Sequence, residues 1–526
     1  MPNTLIIGAG SAGCVLAARL SADPARSVSV LEAGPVFRTM GELPRELLDP
    51  SRLPIGPESR WVWRYRGNLL RGKLIGGSGS INGSYFLRPP AADFAAWSAI
   101  AGPRWSFASV LPVFRALERD EDFGDAPGHG AHGPIPISRT SDFTEFSAEF
   151  AQRCTAAGFT ELPDLNTPAG FDQSQPPTEQ RGGLRVERPP ILGLPGLPGL
   201  PGLPGLPGLP GLPGLSAVDP TRFVDTLARL GPALPAGFGR VPLAVSRHRR
   251  AGPAVTHLYP AMTRPNLTVT GDTTVTRLLL SGTRVIGAEW ARGRERGRTY
   301  ADHTVVCAGA IESAALLLRS GIGPEPQLRA LGVPVVQPLP VGTWCTDHPE
   351  IGVEFPTTDP AQPAVPLEYV LHLDDLEIRP YATMFSPGLR RVGVALMHPE
   401  STGELTLVST DPTVPARVDQ RYLRTARDRA RLRDGVALTA DLYGRRIGPA
   451  DDPWLRANLG TSQHLSGTCR MGPADDERAV VDESGRVHGI DALTIADLSI
   501  VPVPLRRGPQ ATTVMLAAAI ADHMVV

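Results

Sequence analysis

The chain has 526 residues, a formal net charge of -1 and 20% charged residues, a balance that gives nucleic acid or an anionic membrane no electrostatic handle. Its length allows a large core in about two or three structural units. Five cysteines, Cys14, Cys154, Cys307, Cys345 and Cys469, lie without CxxC or metal-ligand spacing, so neither disulfides nor a metal centre is expected.

Residues 4–8 predict a buried strand, 12–20 a helix and 28–31 a second strand. Ser11-Ala12-Gly13-Cys14 mimics a lipoprotein cleavage site. However, no Lys or Arg precedes the apolar stretch, and Gly8, Gly10 and Gly13 interrupt it. No run of about 18 apolar residues appears elsewhere, so a cytoplasmic protein without a transmembrane segment is expected. Gly8-Ala9-Gly10-Ser11-Ala12-Gly13 is a GxGxxG turn between strand and helix. Gly8 permits the turn, Gly10 lets backbone approach a pyrophosphate, and Gly13 allows close helix–strand packing. Glu32, followed by Ala33, ends the next strand, where a carboxylate meets ribose hydroxyls. A dinucleotide is implied; FAD and NAD are not distinguished by this unit.

Residues 174–236 are Pro-rich and aperiodic, with seven consecutive Leu-Pro-Gly units from Leu194 to Gly214; they predict a low-complexity surface insertion. A second strand–turn–helix pattern follows, with a strand at 304–307, a turn at Gly309-Ala310 and then an apolar helix. A third pairs a strand at 493–496 with a closing helix at 510–522. Pieces of one nucleotide-binding domain are thus dispersed along the chain.

Residues 71–83, Arg-Gly-Lys-Leu-Ile-Gly-Gly-Ser-Gly-Ser-Ile-Asn-Gly, with Trp97 beyond them, resemble the first signature of the glucose-methanol-choline (GMC) flavoprotein oxidoreductases. Gly309 to Ala314 through Pro324 is similar to the second signature, with Ala314 departing from the usual Pro or Ser. Further matching stretches are 264–275, 339–342 with Asp347-His348-Pro349, 464–472 and 486–489. The resemblance implies FAD lined by Gly76, Gly77, Asn82, Gly83, Val275, Ala308, Gly309, Asp497 and Leu498, in addition to Gly8, Gly10, Ser11, Ala12, Gly13, Glu32 and Ala33. Lys73, the only lysine of the chain, is expected nearby. Ile81 stands where some members tether FAD to a histidine, so FAD is expected to be non-covalent.

The implied fold combines α/β and α+β: a Rossmann-like FAD-binding domain from 1–135, 237–345 and 461–526, and a substrate-binding domain from 136–173 and 346–460 built on an antiparallel sheet with helices. Oxidising an alcohol requires a base for the hydroxyl proton, and histidine suits that task. His464 occupies the family's catalytic histidine position. His348 and His488 are read as structural, with His348 near the site's edge. Most members carry a second His or Asn at the position of Gly508, which leaves Arg507 and Gln510 as substitutes. Pro509 suits a first helical turn, so Gln510 and Ala511 are expected to present N–H groups to the flavin.

The Gly508-Pro509 pair also resembles the branch associated with mycofactocin, a peptide-derived redox cofactor. It implies a dehydrogenase that reoxidises the reduced cofactor and passes electrons toward a quinone or respiratory chain. Against this FAD-dependent alcohol dehydrogenase stand lyase chemistry on the same fold and a catalytically impaired flavin-binding protein. Retention of His464 argues against the last.

Overall fold

The computed structural model describes residues 2–167, 237–358, 363–445 and 450–525; the insertion predicted for 174–236 lies outside them. A strand at Asn3–Ile7, a helix at Ser11–Leu20 and a strand at Ser27–Leu31 open the chain. Strands Leu267–Thr270, His303–Val306 and Leu493–Ile495 complete a five-stranded parallel sheet. Asn3–Ile7 lies at its centre, between Ser27–Leu31 and His303–Val306. Leu5 and Ile6 are fully buried, as expected of a parallel strand covered on both faces. The helices Ser11–Leu20 and Gln510–Val525 pack against one another, so residues five hundred positions apart share one layer.

The second large sheet has seven strands. In spatial order they are Leu459–Thr461, Pro349–Pro356, Leu389–Leu396, Leu376–Ser386, Tyr369–Leu373, Gly237–Arg240 and Thr160–Glu161. All neighbours are antiparallel except the last pair. Gly237–Arg240 therefore belongs to this sheet and not to the nucleotide-binding domain, a correction to the boundary expected at 237. Its partners, Tyr369–Leu373 and Thr160–Glu161, are distant in sequence. Side chains alternate between faces along each strand. Ile351, Ile378, Val392 and Val394 form a core with Phe146 and Phe150 of one helix and Leu432 and Val436 of another. The opposite face turns Glu350, Arg379, Tyr381 and Arg391 toward the nucleotide-binding domain. Among the described residues, no helix is long and apolar enough to cross a membrane.

Glu118, Asp120 and His129 converge in a buried cluster that could hold a metal ion. Its charges are met within the protein: Arg88 pairs with Glu118, and Arg139 pairs with Asp120 and Asp164. Burial opposes charge on His129, but hydrogen bonds to Asp120, Asp164 and Glu118 outweigh it and raise its pKa to about 10. A protonated imidazole is a poor metal ligand, so this cluster reads as an ionic staple.

Candidate active site

A cleft of about 540 Å³ lies between the two sheets. Its nucleotide half is built on the glycine turn. Gly8 has φ +98°, and a Cβ there would stand 2.6 Å from the Cys307 carbonyl oxygen; a Cβ on Gly13 would stand 2.0 Å from the Gly8 carbonyl oxygen. Only glycine fits either position. The helix that follows has no side-chain cap, which leaves its N–H groups and positive end open toward the cleft. Glu32 accepts hydrogen bonds from the N–H groups of Ala9 (2.7 Å) and Gly34 (2.9 Å). Burial pushes its pKa up to about 7, so near neutrality it can donate or accept toward a sugar hydroxyl. Asp497 anchors the other edge, accepting from Gly309 N–H (2.8 Å) and Ser313 Oγ (2.5 Å). An uncapped helix end, a ribose-height carboxylate and a long cleft together fit a dinucleotide.

Gly8, Gly10, Ser11, Ala12, Glu32, Ala33, Gly77, Asn82, Gly83, Val275, Ala308, Gly309, Asp497, Leu498, Gln510 and His464 all line this cleft. Five other expected site residues stand outside the lining. Gly13 serves the packing just described. Lys73 places its ammonium 4.1 Å from the ring centroid of Trp63, itself a residue of the lining, a cation–π contact. Gly76 donates its N–H to the Ala9 carbonyl and so joins two glycine turns. Ala511 is fully buried. Arg507 turns its Nη1 onto the Arg506 carbonyl, and its Nε lies 3.9 Å from Glu377. Gln510 is structural as well as exposed to the cleft: its Oε1 accepts from Ser11 Oγ (3.2 Å) and Asn82 Nδ2 (3.4 Å).

His464 sits at the far end, with its Nδ1 2.8 Å from the Nδ1 of His348. The rings meet edge to face at 82°. Read from sequence as structural, His348 is in direct contact with the candidate base. Only one proton fits between the two facing nitrogens. With the His348 proton on Nε2, its Nδ1 is the acceptor. His464 then carries its proton on Nδ1 and keeps Nε2 bare. Burial, then the neighbouring His348, holds the His464 pKa well below 6.5, and burial lowers that of His348 to about 4. Both rings are neutral at pH 7. By contrast, the His488 Nε2 contacts the Gly472 carbonyl, a structural role.

Asp347 holds this pair from the backbone. Its Oδ1 accepts from the N–H groups of His464 (2.8 Å) and His348 (2.9 Å), and its Oδ2 accepts from Tyr422 Oη and Thr461 Oγ1. Asp347→Ala frees both loops and is expected to slow alcohol-dependent flavin reduction on the order of 10²-fold. Asp347→Asn keeps a carbonyl acceptor toward both N–H groups and is expected to lose less; stopped-flow flavin reduction compares the two.

The remaining wall was not legible as a site. It includes Tyr85, Pro366, Leu367, Tyr381 and Phe385 with the charged Glu350, Arg379 and Arg391. Arg379 is bound to Glu350 (2.9 Å) and Glu377 (2.6 Å), and Arg391 to Glu354 (2.5 Å). Tyr381 and Ser462 also donate to Glu350. No local motif marks these residues; alternation along strands 349–356 and 376–386 was the available signal.

Comparison with known proteins supplies the family. Models described as GMC oxidoreductase match residues 3–185 and 230–350 and, for the C-terminal part, 399–517. The chain is 36% identical over a 544-residue alignment to an uncharacterized GMC-type oxidoreductase in the thcA 5'region of Rhodococcus erythropolis, covering 98% of this chain and 96% of that protein. It is 30% identical to 5-(hydroxymethyl)furfural oxidase of Methylovorus sp. (strain MP688), covering 98% and 97%. Among solved structures, pyridoxine 4-oxidase from Mesorbium loti superposes with a TM-score of 0.79 at 25% identity, covering 99% of each chain. With matches over most of its length and a cleft built for a dinucleotide, this chain belongs to the GMC oxidoreductase family, whose cofactor is FAD.

Proposed function

We propose that the protein oxidises a primary alcohol, with His464 as the base that takes the hydroxyl proton on Nε2. The observation that carries this reading is the His348–His464 contact, which leaves one bare imidazole nitrogen in the cleft. The names of two relatives, 5-(hydroxymethyl)furfural oxidase and pyridoxine 4-oxidase, point to the same donor class. FAD, when bound, supplies the two-electron acceptor for the hydride that leaves the alcohol carbon. A neutral base is available at pH 7 without prior deprotonation. The helix that begins at Gln510 turns its N-terminus into the cleft, where its dipole stabilises negative charge. Ile81 lines the cleft within the 71–83 loop and offers no nucleophile, so FAD is held without a covalent link at that position.

The donor is a neutral alcohol and not a quaternary ammonium. Glu350 and Glu377 are both bound to Arg379, and Asp347 beside His464 is taken up by the donors described above, so the carboxylates around the base are engaged within the protein rather than presented to a cation. Anaerobic addition of benzyl alcohol, 5-(hydroxymethyl)furfural and choline to the yellow protein tests this. Bleaching of the flavin by a neutral alcohol, with choline slower by roughly tenfold or more, is the expected result. Bleaching by choline alone overturns the neutral-donor reading, and no bleaching by any alcohol overturns the activity. Reoxidation then assigns the acceptor: faster with a quinone or dye marks a dehydrogenase, faster with oxygen an oxidase.

A further inference from the structure

The wall beside His464 has an unusual composition. Gly508 is buried, lines the cleft and has no side chain to present to the imidazole. A Cβ built there would stand 3.8 Å from His464 Cε1, in ordinary contact, but 2.9 and 3.1 Å from Cδ1 and Cε1 of Tyr85. The obstacle at position 508 is thus an aromatic ring and not backbone. Gly508 does not have a positive φ, so conformation alone does not demand glycine there.

Tyr85 has little freedom to yield. Its backbone bridges Leu243, and the next N–H, of Phe86, donates to the Pro242 carbonyl. Its phenol donates to Glu377 Oε1 at 3.1 Å, and Glu377 is fully buried and gripped by Arg379 through two nitrogens, at 2.9 and 2.6 Å. The ring is held at both ends, and it lines the same cleft as His464. We infer that Tyr85 is the specificity-determining side chain of the reaction centre, its ring taking the volume beside the base that a side chain at 508 would fill. The inference rests on the alcohol oxidation proposed above and deepens it. A flat wall at this point admits a CH₂OH group and crowds a substituent on the reacting carbon. With its hydroxyl committed to Glu377, Tyr85 acts through shape.

Two readouts test it. The first is a thermal cycle that needs no substrate, run on the FAD-loaded protein. Gly508→Ala is expected to lower Tm by about 2–4 °C through overpacking. The Tyr85→Ala/Gly508→Ala double variant is expected to lose less than the sum of the single losses, because the new methyl then has room. The second is the ratio of anaerobic flavin-reduction rates for 1-phenylethanol and benzyl alcohol. Tyr85→Ala is expected to raise that ratio roughly tenfold or more, and Tyr85→Phe to leave it unchanged. A merely structural tyrosine would slow both alcohols alike. Additive Tm losses overturn the inference whatever the alcohols do, and so does an unchanged ratio in Tyr85→Ala. Failure of the base assignment is separable: it shows as a His464→Ala variant that keeps its rate, while the thermal cycle stands untouched.

Discussion

Replacing His464 by alanine is expected to leave a yellow, folded protein whose flavin is reduced by alcohol roughly 10²–10⁴-fold more slowly, the usual contribution of a positioned base. Retention of colour is part of the expectation, because the residues proposed to hold the dinucleotide are the glycine turn, Glu32 and the helix N-terminus, and not His464. The pH dependence follows from the same geometry. A base works in its unprotonated form, and burial with the His348 neighbour holds His464 well below 6.5. The rate of flavin reduction should therefore stay level as pH falls through 6.5, where an ordinary histidine is already half protonated. A decline centred at 6.5 would show that the imidazole is solvated in the working enzyme. Full activity in His464→Ala would remove the residue from the chemistry.

The second large effect belongs to Gly13. Any side chain there meets the Gly8 carbonyl oxygen at 2.0 Å, and this contact is backbone of the turn that leaves the central strand Asn3–Ile7, which cannot rotate away as a side chain would. Gly13→Ala must lift the helix Ser11–Leu20 off the sheet, and with it the N–H groups that face the dinucleotide. Overpacking of this kind costs about 1–3 kcal/mol, so FAD retention is expected to weaken roughly 5- to 150-fold and the variant to purify pale or colourless. Gly56→Ala is the control: it meets nothing within 4 Å and should remain fully yellow. Flavin absorbance per mole of protein checks both.

The parts of the molecule that could be read from sequence are those in which neighbouring residues do the work. The strand–glycine turn–helix unit is local, and its strand and helix ends fell within a residue or so of those expected. The helix of the second strand–turn–helix unit starts at Gly309 itself, so the two residues expected to form the turn, Gly309 and Ala310, already belong to the helix. The substrate wall is different in kind. No local motif marks Glu350, Glu377 and Arg379, and they lie on one sheet face as an ionic cluster that only strand pairing assembles. His348 and His464 are 116 positions apart, and nothing in either local segment announces their contact. Gly508 invited a comparison with the mycofactocin-associated branch and a search for substitutes at Arg507 and Gln510. The ring of Tyr85 gives that glycine a local steric reason instead. Lys73 was expected near the cofactor because it lies inside the glycine loop; its ammonium stands over the indole of Trp63, which lines the cleft.

The interleaving of the parallel sheet also governs the order in which the molecule can be assembled. Its central strand is made long before the edge strand Leu493–Ile495 and the helix that covers Ser11–Leu20. The glycine turn emerges from the ribosome long before the residues that shelter it. Until then an apolar strand and helix wait without their partners, a burden that contacts distant in sequence impose on a growing chain. The finished cleft, with Gln510 clasping Ser11 and Asn82, can therefore form only once the segment around Gln510 has been made.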